Sequence, residues 1–523
     1  MAATCARAMG ARVAVLGGRR GASTRVSGIA AALPGADAGE QALLYNDVLR
    51  AGYYINNREL VAAMVRRIGQ EIVFLNEMGV PFHHCEASFS RRQAAGSSQP
   101  WAVFSLEMVG IEICRQLLRR LRTLEKPPFH YLSGALLLDL HLQDGAVAGG
   151  LAYVPSEGRW IRTSAPAVIL ATGGAGQLFG NTTNFSGSWG TGHALALEAG
   201  ARLVDTEFTS FEPFIMAAPP HMRGYDLPTT VLRQGARLRN GLGEEFLDTR
   251  QPFGKDVICR AMLREVAEGR GTPSAAIYFD LREMAPEVMY QYVHFRRALE
   301  RMKLLPSDAL LEVMPAQHSI VGGVRIDHRT ATGVVGLFAV GETSGGVHGA
   351  HRLASCGGTE AVALGALSGE SAALHALASS APSGDTVARP MSELLDLHLS
   401  PEDLDRLKTI RSALDQGCGI LRSKEGLEAS LARLQSVRDD LQSRGRMKTF
   451  IGRAATVALA MVSPALARRE SRGDHFRVDH PRRDDTRWLG NLCTGFDQKT
   501  GDVELTYERA AISYGAVAEL PSN

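Results

Sequence analysis

Residues 167–176 read Ala167-Val-Ile-Leu-Ala-Thr-Gly-Gly-Ala-Gly176, a short apolar run that ends in a glycine-rich turn. A run of this length bounded by glycines is typical of a buried parallel strand, and the turn lets backbone N–H groups face a ligand. The pattern recurs at Leu337-Phe-Ala-Val340, which is followed by Gly341 and Glu342. Two such units predict an α/β protein with a nucleotide-like ligand beside its strand ends.

Composition narrows the class of protein. A chain of 523 residues is long enough for two or three domains. The net charge of +2 gives no argument for binding nucleic acid. Seven scattered cysteines argue against a disulfide framework, a zinc site or an iron–sulfur cluster held by this chain. We found no apolar run of transmembrane length and therefore expect a cytoplasmic protein without direct membrane insertion.

Glycine usage and periodicity outline the organisation. The 55 glycines concentrate near 17–28, 173–192, 322–323 and 341–369, where backbone and ligand would approach closely. Residues near 206–325 have fewer glycines and are predicted to form an inserted region. A Pro- and Ser-rich linker follows residue 380, with amphipathic helices over 402–445 and a final helix near 446–472.

Three further segments carry a family resemblance. They are Ala467-Arg-Arg-Glu-Ser-Arg-Gly-Asp-His-Phe-Arg-Val-Asp-His-Pro-Arg-Arg-Asp-Asp485, His318-Ser-Ile-Val-Gly-Gly323 and His348-Gly-Ala-His-Arg-Leu353. Together with the strand–turn units, they resemble the flavoprotein of the succinate dehydrogenase, fumarate reductase and L-aspartate oxidase family. The resemblance implies bound FAD, a small carboxylic acid as substrate, and hydride transfer between the two.

The same resemblance implies three domains. A two-dinucleotide-binding, Rossmann-like FAD domain would comprise residues 1–205 plus 326–380. An α+β capping domain would comprise residues 206–325, and a helical domain residues 400–523. We expect the charge-rich segment at 467–485 to be a structural network of buried ions and assign it no catalysis.

The cofactor residues follow from the family pattern. Glu342 is implied to hold ribityl or ribose hydroxyls of FAD. The other implied contacts are Ser23, Thr24, Gly28, Thr172, Gly173, Gly174, Thr191, Gly357 and Gly358. Covalently flavinylated members have a His near the position of Gly21, and this loop has none, so the resemblance implies noncovalent FAD.

The substrate residues match the family only in part. Arg352 and His318 are implied to hold a substrate carboxylate, which a guanidinium binds through two parallel hydrogen bonds. Lys255 stands where the family has a proton-donating Arg. Glu212 replaces a carboxylate-binding His, and would repel a carboxylate unless it is protonated or paired with Lys255 or an Arg. Thr229 or Thr230 is implied to keep a hydroxyl contact with the substrate.

The start of the chain departs from the family. The strand Arg12-Val-Ala-Val-Leu16 comes early, and a Gly-x-Gly-x-x-Gly turn with its strand, roughly 15–20 residues, does not precede it. We expect a clipped start, and the alternative is a lineage that lost its pyrophosphate site.

Three functional interpretations stay open on sequence alone. The first is reduction or dehydrogenation of a dicarboxylate-like acid, with an iron–sulfur or other electron-transfer protein as partner. The second is amino-acid oxidation of the L-aspartate oxidase kind. The third is a catalytically silent subunit that has lost FAD.

Overall fold

The computed structural model describes residues 1–17, 21–34, 38–86, 88–93, 95–105, 108–248, 253–290, 292–380, 399–497 and 499–510. Up to residue 204 the helices are α1 (Ala2–Ala8), α2 (Ala38–Ala51), α3 (Arg58–Glu77), α4 (Val109–Thr123) and α5 (Thr191–Glu198). The strands are β1 (Val13–Gly17), β2 (Gly28–Ala30), β3 (His84–Cys85), β4 (Ser88–Phe89), β5 (Arg91–Arg92), β6 (Ala102–Phe104), β7 (Phe129–Ser133), β8 (Leu136–Gln143), β9 (Ala146–Val154), β10 (Arg159–Ser164), β11 (Val168–Leu170) and β12 (Leu203–Val204).

The remaining elements follow in two segments. Residues 209–325 form strands β13 (Thr209–Met216), β14 (Arg237–Arg239), β15 (Ile277–Asp280), β16 (Leu310–Ile320) and β17 (Gly323–Arg325), and helices α6 (Lys255–Ala267), α7 (Pro286–Tyr290) and α8 (Val293–Met302). Residues 337–509 form strands β18 (Leu337–Ala339), β19 (Ser344–Gly345), β20 (Gly490–Phe496) and β21 (Val503–Arg509), and helices α9 (Cys356–Ala378), α10 (Pro401–Gly417), α11 (Lys424–Ser443), α12 (Phe450–Ala467) and α13 (Asp485–Trp488).

Two pairs of parallel strands carry the α/β region. β1 pairs with β7, and β11 pairs with β18, so both apolar strand–turn runs of the sequence form the predicted parallel strands. Within the described residues the two pairs are not hydrogen-bonded to each other. Residues of β1 and β11 line one large cavity, which therefore lies between the pairs.

The inserted region has its own sheet and core. Its four strands are antiparallel in the order β13-β16-β15-β14, and α6 packs against β13. Phe214 and Phe279 stack in its interior with ring centroids 4.2 Å apart. A separate core supports the interpretation of this region as a cap over the cavity.

The C-terminal region is less purely helical than we expected. Helices α10, α11 and α12 pack together, and each begins with a side-chain cap, from Ser400, Ser423 and Thr449 respectively. The hairpin of β20 and β21 then joins a five-stranded sheet in the order β19-β17-β12-β20-β21. This sheet ties the end of the described chain to strands of the α/β region.

Two helices pass a length-and-composition test for crossing a membrane, which our sequence analysis did not anticipate. They are α9, with mean hydropathy 1.3 over its most apolar window, and α12, with 1.6. Half of that window in α9 and 78% of it in α12 are buried inside the fold. Core helices of globular proteins have this apolar composition because they are surrounded by other elements.

Candidate active site

A cavity of about 1690 Å³ brings most of the predicted site residues together. It exceeds the roughly 300–1,000 Å³ of ordinary small-molecule pockets, so it has room for a dinucleotide and a small acid. One part is lined by the strand–turn units of the α/β region, and another by residues of the inserted region. We describe these as the cofactor part and the substrate part.

Glu342 lines the cofactor part. One of its carboxylate oxygens accepts a hydrogen bond of 3.0 Å from the backbone N–H of Ile320. A Cβ on Gly174 would lie 2.2 Å from the same oxygen, so only glycine leaves room for this carboxylate. Burial raises the pKa of Glu342 to about 7. A carboxylate at the wall of the cavity is suited to accept hydrogen bonds from ligand hydroxyl groups.

Tight packing around Thr172 holds the first glycine turn in place. Its hydroxyl lies 3.2 Å from the hydroxyl of Thr343, which donates to the carbonyl of Gly173. A Cβ on Gly192 would lie 2.2 Å from the Thr172 hydroxyl, so helix α5 approaches the turn only because that residue is glycine. The two strand–turn units therefore contact each other directly.

Two helices begin at the cavity. Thr191 is the first residue of α5, and Gly357 and Gly358 lie in the first turn of α9; all three line the cavity. Free N–H groups and the helix dipole make such ends favourable for phosphate or carbonyl oxygens. Gly341, in a left-handed conformation at φ +65°, has open space where a Cβ would stand, so its backbone is also accessible. These residues fit FAD: a carboxylate for sugar hydroxyls, and backbone donors for its anionic and carbonyl oxygens.

In the substrate part, Glu212 and Lys255 form an ion pair. Glu212 lies on β13, and Lys255 is the first residue of α6, which packs on that strand. The Glu212 side chain is buried and that of Lys255 is one-fifth exposed. Lys255 is therefore held against a carboxylate at the cavity wall, which is one of the arrangements that the sequence left open for Glu212.

His318 lies beside this pair. Its Nε2 atom is 3.9 Å from a Glu212 carboxylate oxygen, and its Nδ1 atom is 2.9 Å from the Thr183 hydroxyl. Burial, followed by the charges of Lys255 and Arg352, lowers the pKa of His318 well below its usual value. His318 is thus neutral at pH 7 and can orient a ligand by hydrogen bonding, without adding charge.

Arg352 supplies a cation to the same cavity. It lines the cavity and makes no ion pair with any acidic residue that the structure describes. The neighbouring His351 does have a partner, because its Nδ1 atom lies 2.9 Å from the carboxylate of Asp474. This contact raises the pKa of His351 although burial opposes the shift. His351 therefore stays protonated more readily than an ordinary histidine.

The charge-rich segment supports this wall from behind. Gly473 packs so closely on Ala350 that a Cβ would lie 2.2 Å from its carbonyl oxygen, and Asp474 donates its N–H to the same oxygen. Arg468, Glu470 and Arg472 are fully buried and joined by ion pairs. The expected buried network is present, and it also positions His351, which the sequence did not indicate.

The predicted residues divide as follows. Those that line the cavity are Ser23, Gly28, Thr172, Gly173, Thr191, Glu212, Thr229, Lys255, His318, Glu342, Arg352, Gly357 and Gly358. Thr24 and Gly174 do not line it: the Thr24 hydroxyl donates to the carbonyl of Gly21, and Gly174 packs behind Glu342. The Thr230 side chain lies outside the described part of the structure. Sequence reasoning missed Asp226, which lines the cavity and belongs to no motif that we recognised.

Comparison with known families agrees with this geometry. The FAD binding domain family matches residues 1–357, and the family described as fumarate reductase flavoprotein C-term matches residues 407–519. The chain is 32% identical to an L-aspartate oxidase of Streptomyces coelicolor, over 88% of this chain and 82% of that protein. It is 29% identical to the fumarate reductase flavoprotein subunit of Mycobacterium tuberculosis, over 85% of this chain and 83% of that protein.

Solved structures show the same fold over almost the whole chain. FrdA of an E. coli quinol fumarate reductase superposes with a TM-score of 0.85 at 24% identity, covering 99% of this chain and 96% of that one. Mycobacterium smegmatis Sdh1 superposes with a TM-score of 0.83 at 26% identity, covering 98% and 92%. The chain belongs to the FAD-binding flavoprotein family that includes fumarate reductase and succinate dehydrogenase flavoproteins and L-aspartate oxidases.

Proposed function

We propose that the protein is an FAD-dependent oxidoreductase of the fumarate reductase and succinate dehydrogenase type, acting on the C–C bond next to a carboxylate of a small acid. The observation that carries the proposal is the shared cavity. Glu342 and two helix N-termini line its cofactor part, and Arg352, His318 and Lys255 line its substrate part. FAD, when bound, supplies the two-electron redox chemistry.

The residues of the chain divide the remaining work. The guanidinium of Arg352 binds and orients the substrate carboxylate. Neutral His318, on which the charges of Arg352 and Lys255 both act, orients the same acid by hydrogen bonding. Lys255 exchanges a proton with the substrate carbon, and Glu212 holds its ammonium group in position.

We also propose an electron-transfer protein as partner. The chain resembles flavoprotein subunits of fumarate reductase and succinate dehydrogenase. Among the described residues, no group of three or more His, Cys, Asp or Glu could hold a metal ion of its own. A cytoplasmic location, with contact to a membrane only through partners, goes with this proposal.

Amino-acid oxidation of the L-aspartate oxidase kind is the second candidate. The observation that favours it is Glu212, a buried carboxylate where a dicarboxylate-binding member has a basic side chain. Release of hydrogen peroxide with aspartate under air distinguishes this activity from acid-dependent reduction of an artificial dye.

The test uses the FAD-loaded full chain. We expect oxidation of a reduced viologen dye by an unsaturated acid such as fumarate. In the reverse direction, we expect the saturated acid to reduce an acceptor dye of higher potential, such as dichlorophenolindophenol. Lys255→Met should lower turnover by roughly 10²- to 10⁴-fold, the usual contribution of a positioned acid, while FAD absorbance is kept. Lys408→Met, at a lysine whose side chain is 77% exposed, is the matched control. Full turnover in Lys255→Met contradicts the assigned proton transfer, and a protein that stays colourless with added FAD contradicts the enzyme proposal.

A further inference from the structure

The carboxylate of Asp226 has no partner in the described part of the protein. The carboxylate makes neither a hydrogen bond nor an ion pair there. The backbone carbonyl of the same residue does have a neighbour, because it lies 3.1 Å from Nδ1 of His294. The residue lines the cavity, and a backbone bridge joins it to Ile215 near the end of β13. Burial and the nearby charge of Glu212 raise the pKa of Asp226 to about 7. A largely desolvated carboxylate without a partner is stabilised when a cation or a hydrogen-bond donor binds to it.

Two cations lie near Asp226, and neither forms a hydrogen bond or an ion pair with its carboxylate. The ammonium group of Lys255 is paired with Glu212. The guanidinium of Arg25 donates to the carbonyl of Thr183 at 2.6 Å and lies 4.5 Å from the centroid of the Phe185 ring. Burial and the charge of Glu212 raise the pKa of Asp226 by more than Lys255 and Arg25 lower it. The Asp226 carboxylate therefore has no direct partner among the residues that the structure describes.

A positive charge without an acidic partner lies in the same cavity. Arg352 lines it without an acidic partner in the described residues. His318, Lys255 and Asp226 line the same cavity as Arg352, so these groups belong to one site. Lys255 already pairs with Glu212, so the repulsion comes from Asp226: an acid with two carboxylates satisfies Arg352 but brings its second carboxylate towards this unpartnered acid, and like charges repel.

We propose that the substrate of this flavoprotein is a zwitterion, with one carboxylate bound by Arg352 and an ammonium group bound by Asp226 beside the Glu212–Lys255 pair. The inference rests on the proposed function and narrows its substrate class, from carboxylic acids in general to amino acids without a second carboxylate. Such a ligand supplies an anion to Arg352 and a cation to Asp226 at once.

The test compares acids that differ in the end group opposite the carboxylate. Succinate, β-alanine and γ-aminobutyrate are titrated into the FAD-loaded protein by calorimetry, and flavin absorbance is followed in parallel. β-Alanine has an ammonium group where succinate has its second carboxylate, and γ-aminobutyrate covers the case of a longer spacing. We expect at least one of the two amino acids to bind roughly tenfold or more tightly than succinate, the ratio expected for one charge-assisted hydrogen bond.

Asp226→Asn removes the charge and keeps the shape of the side chain. It should weaken binding of the amino acid by roughly 10- to 100-fold and leave succinate binding unchanged or stronger. Asp308→Asn, at an exposed aspartate of the same inserted region, should change neither affinity. If Asp226→Asn does not accumulate as a folded yellow protein, the comparison of acids on the unaltered protein decides the question by itself.

The outcomes separate this inference from the proposed function. Tighter binding of succinate than of both amino acids overturns the zwitterion proposal, and succinate-dependent flavin reduction in the same samples leaves the proposed function standing. Unchanged amino-acid affinity in Asp226→Asn overturns the assignment of Asp226. A flavin that neither binds nor responds to any of the acids overturns the proposed function, and this inference with it.

Discussion

Substitution of Glu470 by alanine tests the buried ion network most directly. Glu470 accepts hydrogen bonds from Arg468 at 3.0 Å, from Arg472 at 2.5 and 3.0 Å, and from the backbone N–H of Asp484 at 2.8 Å. The side chains of the glutamate and of both arginines have 0% exposure. After the substitution Arg468 keeps Glu207, whereas the acidic partner that Arg472 keeps among the described residues is the partly exposed Asp485.

The expected loss in free energy of unfolding follows from the buried arginine charge that the substitution leaves unpaired. Removing one partner of a buried ion pair typically costs about 3–5 kcal/mol, because the remaining charge is neither hydrated nor paired. That is a large part of the roughly 5–15 kcal/mol that stabilises a typical folded domain. Since Gly473 and Asp474 pack on Ala350, loosening of the segment should also weaken acid binding at Arg352.

Urea denaturation, monitored by fluorescence, measures the shift of the unfolding midpoint. The matched control is Glu402→Ala, because Glu402 is a glutamate with 69% side-chain exposure that pairs with Arg406 at 3.4 Å. An exposed pair is worth about 0–1 kcal/mol, so the control midpoint should hardly move. Equal shifts of the two midpoints would refute the reasoning that burial makes this network indispensable.

Three further predictions concern the cavity. Arg352→Gln should weaken binding of the substrate carboxylate by roughly 10- to 100-fold, because charge-assisted hydrogen bonds are lost, while the FAD content stays the same. Calorimetry on the FAD-loaded protein measures the affinity, and an unchanged affinity contradicts the role of Arg352. The FAD-free protein should lose stability between pH 5 and pH 7. The reason is that the pKa of Glu342 in the folded protein, about 7, lies above the usual 4.5. The contribution of Glu342 to the free energy of unfolding is therefore present at low pH and is lost as the pH rises through 7. Asp226 acts in the same direction, and a pH dependence that Glu342→Gln leaves unaltered would argue against the assignment. Finally, acid precipitation of the yellow protein should leave a colourless pellet, since no histidine lies near Gly21 in the sequence; flavin that stays with the pellet would contradict noncovalent binding.

Local patterns in the sequence were sufficient for the secondary structure around the cofactor. The apolar run at 167–171 and the run at 337–340 are followed by glycine, and the structure has strands at 168–170 and 337–339. The strand expected at 12–16 is present at 13–17. Such runs are informative because both faces of a parallel strand are buried, so hydrophobicity is continuous and needs no long-range knowledge. The C-terminal hairpin of β20 and β21 was missed, because β21 is mostly exposed and lacks a continuous apolar run.

Contacts between distant residues could not be read from the sequence in the same way. The family pattern indicated Arg352, His318 and Lys255, and it left open whether Glu212 was protonated or paired. Only the tertiary structure places Lys255 against Glu212, 43 residues away, and Asp474 against His351, 123 residues away. It alone shows that Asp226 lines the cavity without a partner among the described residues.

The sequence by itself thus determined the family, the cofactor class and the strand–turn units, because these depend on short runs of residue types with a local physical meaning. The tertiary structure decided the charge balance of the substrate part, because the charge state of an acid or a histidine depends on its burial and on which distant charges folding brings within a few ångströms.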